Sequence, residues 1–148
     1  AELVKNPWHV AKNRANKTGA VVADLLARTE AESYVLIGHS LGARAMIVAA
    51  EALGTKRDGP RLQDVHLLGA AIGANSEWKT LTSGIDGAVY NYHSKHDDVL
   101  KWVYMTAQGG QAAAGYKGFT NVVAKLHNID VSDALDGHSE YHDKVTLR

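Results

Sequence analysis

The 148-residue chain predicts an α/β domain built on a mostly parallel sheet of about four strands flanked by helices. Two observations carry that prediction. Short apolar runs of strand type (33–38, 65–70 and 88–92, with a weaker, more polar one at 125–131) alternate with stretches of helical periodicity. Strands alternating with helices form parallel sheets wound by right-handed crossovers. The first strand also runs through Gly38-His39-Ser40-Leu41-Gly42 straight into a helical pattern, with no loop between them.

The elements follow in order. Asn6-Pro7 reads as a helix start, a capping side chain followed by proline at the first helical position. Trp8, Ala11, Ala15, Val22 and Leu26 then make one apolar stripe over 7–28, with Gly19 inside it expected to mark a close approach. Strand 33–38 follows, then helix 41–53, with Gly54 expected as its C-terminal cap. Residues 55–63, containing Asp58-Gly59-Pro60, read as a surface loop. The unbroken apolar character of 65–70 predicts a strand buried on both faces. A short helix capped by Ser76 is expected over 76–81, then the third strand. Asp97 or Asp98 opens a helix through Val99, Trp102 and Val103. A glycine-rich loop (109–118) leads to the fourth strand, expected at a sheet edge, and a last loop at 136–142 enters a short final helix.

Composition narrows the function. Lys plus Arg and Asp plus Glu number 16 each, and no block of like charge stands out, so neither nucleic-acid binding nor a polybasic membrane contact is expected. Cysteine is absent, which removes disulfides, thiolate metal sites and cysteine nucleophiles. No run approaches the roughly 18 apolar residues of a membrane span. The start has neither a signal-peptide layout nor a methionine, which leads us to expect that the chain begins partway into something longer. The compartment is left open.

The chemistry centres on Ser40. A strand, a tight turn with one serine between two glycines, and a helix make a nucleophile elbow. Small residues are expected two before and two after the serine, because strand and helix backbones nearly touch there. The Leu41 N–H, at the positive end of the helix, points where an oxyanion would form. His39 reads as a packing and hydrogen-bonding residue of the elbow that also borders the substrate. A nucleophilic serine needs a base, and the base an orienting acid. In parallel sheets the active groups gather at the C-terminal strand ends. The loop after the third strand offers Asp97 and Asp98; the segment beyond the fourth offers His138, with His142 four residues on. Either aspartate could instead merely cap the following helix, and His138 could be a solvated loop residue. His66 and His127 read as structural histidines. Arg44 is expected to tie down a neighbouring loop through a carboxylate. Trp102, Tyr104 and Tyr116 could line a substrate pocket or pack in the core.

On these residues the chain resembles the α/β-hydrolases. It is most similar to a family of serine-hydrolase-like proteins of uncharacterised function that includes the transmembrane-and-coiled-coil-domain proteins. The resemblance rests on Asn6-Pro7-Trp8 with Arg14-Ala15, Gly38-His39-Ser40-Leu41-Gly42-Ala43-Arg44, 92–100, 128–132 and 137–141. It implies a Ser40–His138–Asp97 triad, an ester-cleaving activity of lipase, esterase or thioesterase type through an acyl-enzyme, a small-molecule or lipid ester substrate, and no cofactor or metal. It also exposes a departure: in that fold several strands and a loop carrying a second oxyanion donor precede the nucleophile strand, and here only a helix does. We therefore expect a C-terminal part of the larger domain, with an N-terminal segment or a partner chain covering the edge of the Ser40 strand. Without it, turnover should fall by about 10²–10³. Two other readings stand beside this one. One is a non-catalytic interaction domain. The other is a metal hydrolase drawing on His93, His96, Asp97, Asp98, His138 and His142.

Overall fold

The computed structural model describes residues 6–148 apart from Trp78, Gln108 and Gly109. Trp78 of the expected short helix and Gly109 of the glycine-rich loop therefore lie outside the described residues. Asn6 Oδ1 accepts the Trp8 N–H at 3.0 Å and opens helix α1, Pro7–Ala27. Its inner stripe buries Ala15, Gly19 and Ala23. Gly19 is there for proximity: a Cβ at that position would sit 2.7 Å from Val48 Cβ on helix α2, Leu41–Gly54. The helical penalty of glycine, about 1 kcal/mol, is the lesser cost.

Strands β1 (Ser33–His39), β2 (Arg61–Leu68), β3 (Val89–His93) and β4 (Leu126–Asp130) form one sheet in the order β1-β2-β3-β4. Every pairing is parallel. Helix α2 lies on the face to which Leu36, Val65, Leu67, Val89 and Leu126 point, and these join its Ile47 and Leu53 in the main core. Burying each such aliphatic side chain contributes about 1.5–3 kcal/mol. Short helices α3 (Lys79–Ser83) and α5 (Ala114–Lys117), helix α4 (Asp98–Ala107), a 3-10 turn at His138–Glu140 and helix α6 (Tyr141–Lys144) complete the described chain. Among the described residues no helix is long and apolar enough to cross a membrane.

The expected boundaries shift in four places. The short helix expected over 76–81 with Ser76 as its cap is α3, Lys79–Ser83, and Ser76 and Glu77 precede it outside the helix. β2 starts at Arg61, inside the stretch read as loop, because its first half alternates: Leu62 is buried while Arg61 and Gln63 are exposed. Gly54 is the last residue of α2 rather than its left-handed cap; the cap is Thr55, with an ordinary φ of −86°. The glycine-rich loop contains α5, which is capped at its C-terminus by Gly118 with φ 86°.

The two sheet edges differ. β4 is polar, as expected of an edge. β1 also pairs on one side only among the described residues. Its Val35 and Ile37, facing away from α2, remain 47% and 50% exposed.

Candidate active site

Parallel strands deliver their C-terminal ends to one rim, and the predicted side chains meet there. Ser40 follows β1 with φ 57° and ψ −119°, a backbone state that L residues rarely adopt. Such a conformation costs on the order of 1–3 kcal/mol and persists only where its surroundings over-determine it. They do so here: the Ser40 N–H donates to the Leu68 carbonyl at 2.9 Å, and the Ser40 carbonyl accepts from Ala71 N at 3.1 Å and Ala43 N at 3.1 Å. The turn thus hangs between the end of β2 and the start of α2. Leu41 is the first residue of that helix, so its N–H is one the helix itself leaves unused.

The glycine requirement proves one-sided. A Cβ on Gly38 would lie 2.6 Å from the Gly42 carbonyl carbon and 2.7 Å from Ala43 N, so Gly38 must be glycine. A Cβ on Gly42 would meet nothing within 4 Å. The expectation of two obligatory small residues is corrected: the crowding falls on Gly38, and Gly42 contributes its backbone to it.

His138, in the 3-10 turn, stands between the other two groups. Its Nε2 is 2.9 Å from Ser40 Oγ and its Nδ1 is 2.7 Å from Asp97 Oδ2. A buried carboxylate can only accept, so Nδ1 carries the proton and Nε2 is left to accept from the serine hydroxyl. Of the two aspartates, Asp97 is the one that faces the imidazole, and its side chain is 0% exposed. It also caps α4, its Oδ1 accepting Leu100 N at 3.1 Å. The capping and acid readings of Asp97 therefore both hold, one for each oxygen. Asp98 is the first residue of α4 and is exposed. His142 is exposed too, within 3.1 Å of Asp143.

The loop presenting Asp97 is held by its own polar groups and by Ser132, just beyond β4. Ser94 Oγ accepts His96 N at 3.1 Å, the Ser94 carbonyl accepts Asp97 N at 3.2 Å, and Ser132 Oγ accepts Lys95 N at 3.0 Å. His39 is turned to the backbone of His138: its Nε2–H donates to the His138 carbonyl at 2.8 Å, and the two rings lie 4.6 Å apart. Burial, then the nearby His138, lowers the His39 pKa, partly offset by that hydrogen bond and by Asp97. Arg44 does tie down a loop, but through the Ala71 carbonyl at 3.0 Å rather than a carboxylate. Tyr104 is core, Tyr116 is half-buried against it, and Trp102 is 68% exposed. Among the described residues no three His, Asp or Glu side chains gather as a cation would require.

Two contributors escaped the sequence reading. Gly69, at φ 51° just beyond β2, leaves room for the Tyr141 ring; a Cβ there would lie 2.8 Å from Tyr141 Cε2 and 3.2 Å from Asp97 Oδ2. Gly115 is the other, its Cβ position 2.6 Å from Gly69 Cα. The small-residue run Gly69-Ala70-Ala71 directly after a buried strand was the available signal for the first.

Fold and site together define a parallel α/β domain carrying a hydrogen-bonded serine, histidine and aspartate at its strand-end rim. The chain belongs to the family described as "Protein of unknown function (DUF726)", whose model matches residues 1–147. It is 31% identical over 143 residues to "Probable lipase MIL1" of Saccharomyces cerevisiae, an alignment covering 94% of this chain and 13% of that protein. It is 30% identical over 144 residues to "Transmembrane and coiled-coil domain-containing protein STS1" of Oryza sativa subsp. japonica, covering 95% and 22%. An uncharacterized membrane protein of Caenorhabditis elegans is 30% identical over 151 residues, covering 99% and 24%. The chain thus spans less than a quarter of each of these relatives. No solved structure matches it.

Proposed function

We propose that the chain is a serine hydrolase of α/β-hydrolase type that cleaves carboxylic esters. The observation that carries this reading is the line from Ser40 Oγ through His138 to Asp97, at 2.9 and 2.7 Å. His138 Nε2 takes the hydroxyl proton as Ser40 Oγ attacks the ester carbonyl. Asp97 holds the ring by Nδ1–H and balances the imidazolium. The Leu41 N–H steadies the tetrahedral oxyanion, His138 returns the proton to the leaving alcohol, and water activated by the same ring releases the acid.

The yeast relative's name, "Probable lipase", agrees with this class. A lipid or other apolar ester also suits the groove of about 670 Å³ between α1 and α2, where Pro7, Val10 and Ala11 face Leu41 and Gly42 beside the serine. For the second oxyanion donor we propose an N-terminal segment or partner chain laid along the β1 edge, covering Val35 and Ile37. Those same exposed residues favour the second reading, an interaction domain that buries this edge on a partner without turnover.

Hydrolysis of p-nitrophenyl esters of graded acyl length separates the two readings. The enzyme reading expects turnover that Ser40→Ala abolishes. Turnover that survives the substitution would exclude Ser40 as the nucleophile, and no turnover from the full-length protein would leave the interaction domain.

A further inference from the structure

Asp97 Oδ2 receives a second donor besides His138: the Tyr141 hydroxyl, 3.1 Å away. We infer that Tyr141 is a positioning residue of this site, its hydroxyl holding the Asp97 carboxylate and sharing the negative charge that His138 feels. The inference rests on the hydrolase reading.

The Tyr141 hydroxyl has one proton and two acceptors in reach, Asp97 Oδ2 and the Gly115 carbonyl, both at 3.1 Å. Gly115 O already accepts from Ser94 N at 3.0 Å, whereas Asp97 is charged and fully buried. Charge-assisted bonds are roughly twice as strong as neutral ones, so the proton goes to the carboxylate. The phenol keeps that proton throughout the ordinary pH range, because burial and then the Asp97 charge push its pKa well up. Local geometry explains the placement. Tyr141 follows His138 by three residues, across a 3-10 turn into the first residue of α6. Both side chains therefore face the same rim, with ring centroids 6.3 Å apart and planes at 77°. The ring is fully buried and occupies the space that Gly69 leaves open. It is Asp97 that Tyr141 touches; it acts on the chemistry through that carboxylate.

A donor to the carboxylate disperses its charge. Removing it should strengthen the attraction between Asp97 and the imidazolium, so that His138 holds its second proton to higher pH. The groups facing His138 are Asp97 from the loop before α4, His39 from β1 and Tyr141 from α6; beyond them His142 acts on His39 and Asp130 on Tyr141. Because His39 lies so close, the readout must be assigned to His138 itself.

The test compares wild type, Tyr141→Phe and replacement of Tyr141 by 3-fluorotyrosine, a stronger donor of the same shape. Two quantities are followed: fluorophosphonate labelling of Ser40 against pH, and the NMR resonance of the His138 Nδ1 proton. In Tyr141→Phe the acid limb of labelling should move up by about half a pH unit, a roughly threefold loss of rate on the limb, with the Nδ1 proton moving downfield. The fluorinated ring should move both readouts in the opposite direction, which a merely space-filling tyrosine would not do. A wild type that labels, with both variants keeping its limb and its resonance, would overturn the positioning role alone. A wild type in which Ser40 does not label would remove the hydrolase reading and this inference together.

Discussion

Consider an alanine placed at Gly38 and, separately, at Gly42. A pentapeptide reading treats the two glycines as equivalent; the structure does not. At Gly38 the added methyl would meet the backbone of Gly42 and Ala43 at 2.6 and 2.7 Å, and backbone cannot rotate aside. Carbon atoms settle at about 3.5–4.0 Å, so β1 and α2 would have to part by about 1 Å. Overpacking of this kind costs about 1–3 kcal/mol, and a backbone neighbour puts Gly38→Ala at the upper end. For a domain of this size that is a fall in Tm of about 6–12 °C. The same opening displaces Ser40 Oγ, two residues on, from the His138 ring, and a misplacement of about 1 Å can cost 10²-fold in rate. At Gly42 the methyl enters open space in the first turn of α2. Gly42→Ala should hold stability or raise it by up to about 1 kcal/mol through helix propensity. Urea and thermal unfolding of both variants, with fluorophosphonate labelling of each, make the comparison. Equal losses at the two positions, or a Gly38→Ala protein with wild-type Tm and labelling, would refute the one-sided crowding.

Other expectations follow from the same geometry. Asp97→Asn should lower Ser40 labelling by about 10³–10⁴-fold while Asp98→Asn leaves it unchanged, measured as second-order labelling rates, since only Asp97 reaches His138. Stability should fall as pH drops from about 7 to 5. His39, His66 and His93 all have folded pKa values lowered from 6.5 by burial, so the unfolded chain binds more protons in that window. The stability these neutral rings contribute is present above 6.5 and is lost as pH falls through the lowered values. Urea midpoints at pH 7.5 and 5.0 read it, and a midpoint that rose on acidification would contradict the sign.

Much of the fold was legible because its signals were local. The Asn6-Pro7 cap, the stripe on α1 and the apolar runs of β1 and β3 each depend on neighbours within a few residues. The start of β2 was not, because Arg61 to Asp64 carries little hydrophobic signal of its own. Its strand character comes from pairing with β1, Ser33 opposite Arg61 and Tyr34 opposite Leu62. At the rim the order of serine, aspartate and histidine along the chain pointed to the residues that converge. What lay hidden was the packing between distant segments. The small residues Gly69-Ala70-Ala71 signal that space is short after β2, but that a tyrosine 72 positions later fills it is encoded by no local pattern. The division of Asp97 between the α4 cap and the imidazole was equally out of reach, since the sequence presents both roles as rivals.

The central claim is that the hydroxyl of Ser40 is made nucleophilic by His138. Mass-spectrometric mapping of a fluorophosphonate adduct in the wild type and in His138→Ala tests it most directly. The account predicts a single adduct at Ser40 in the wild type and its disappearance when the imidazole is removed. An adduct on another residue, or undiminished modification of Ser40 without the ring, would contradict it.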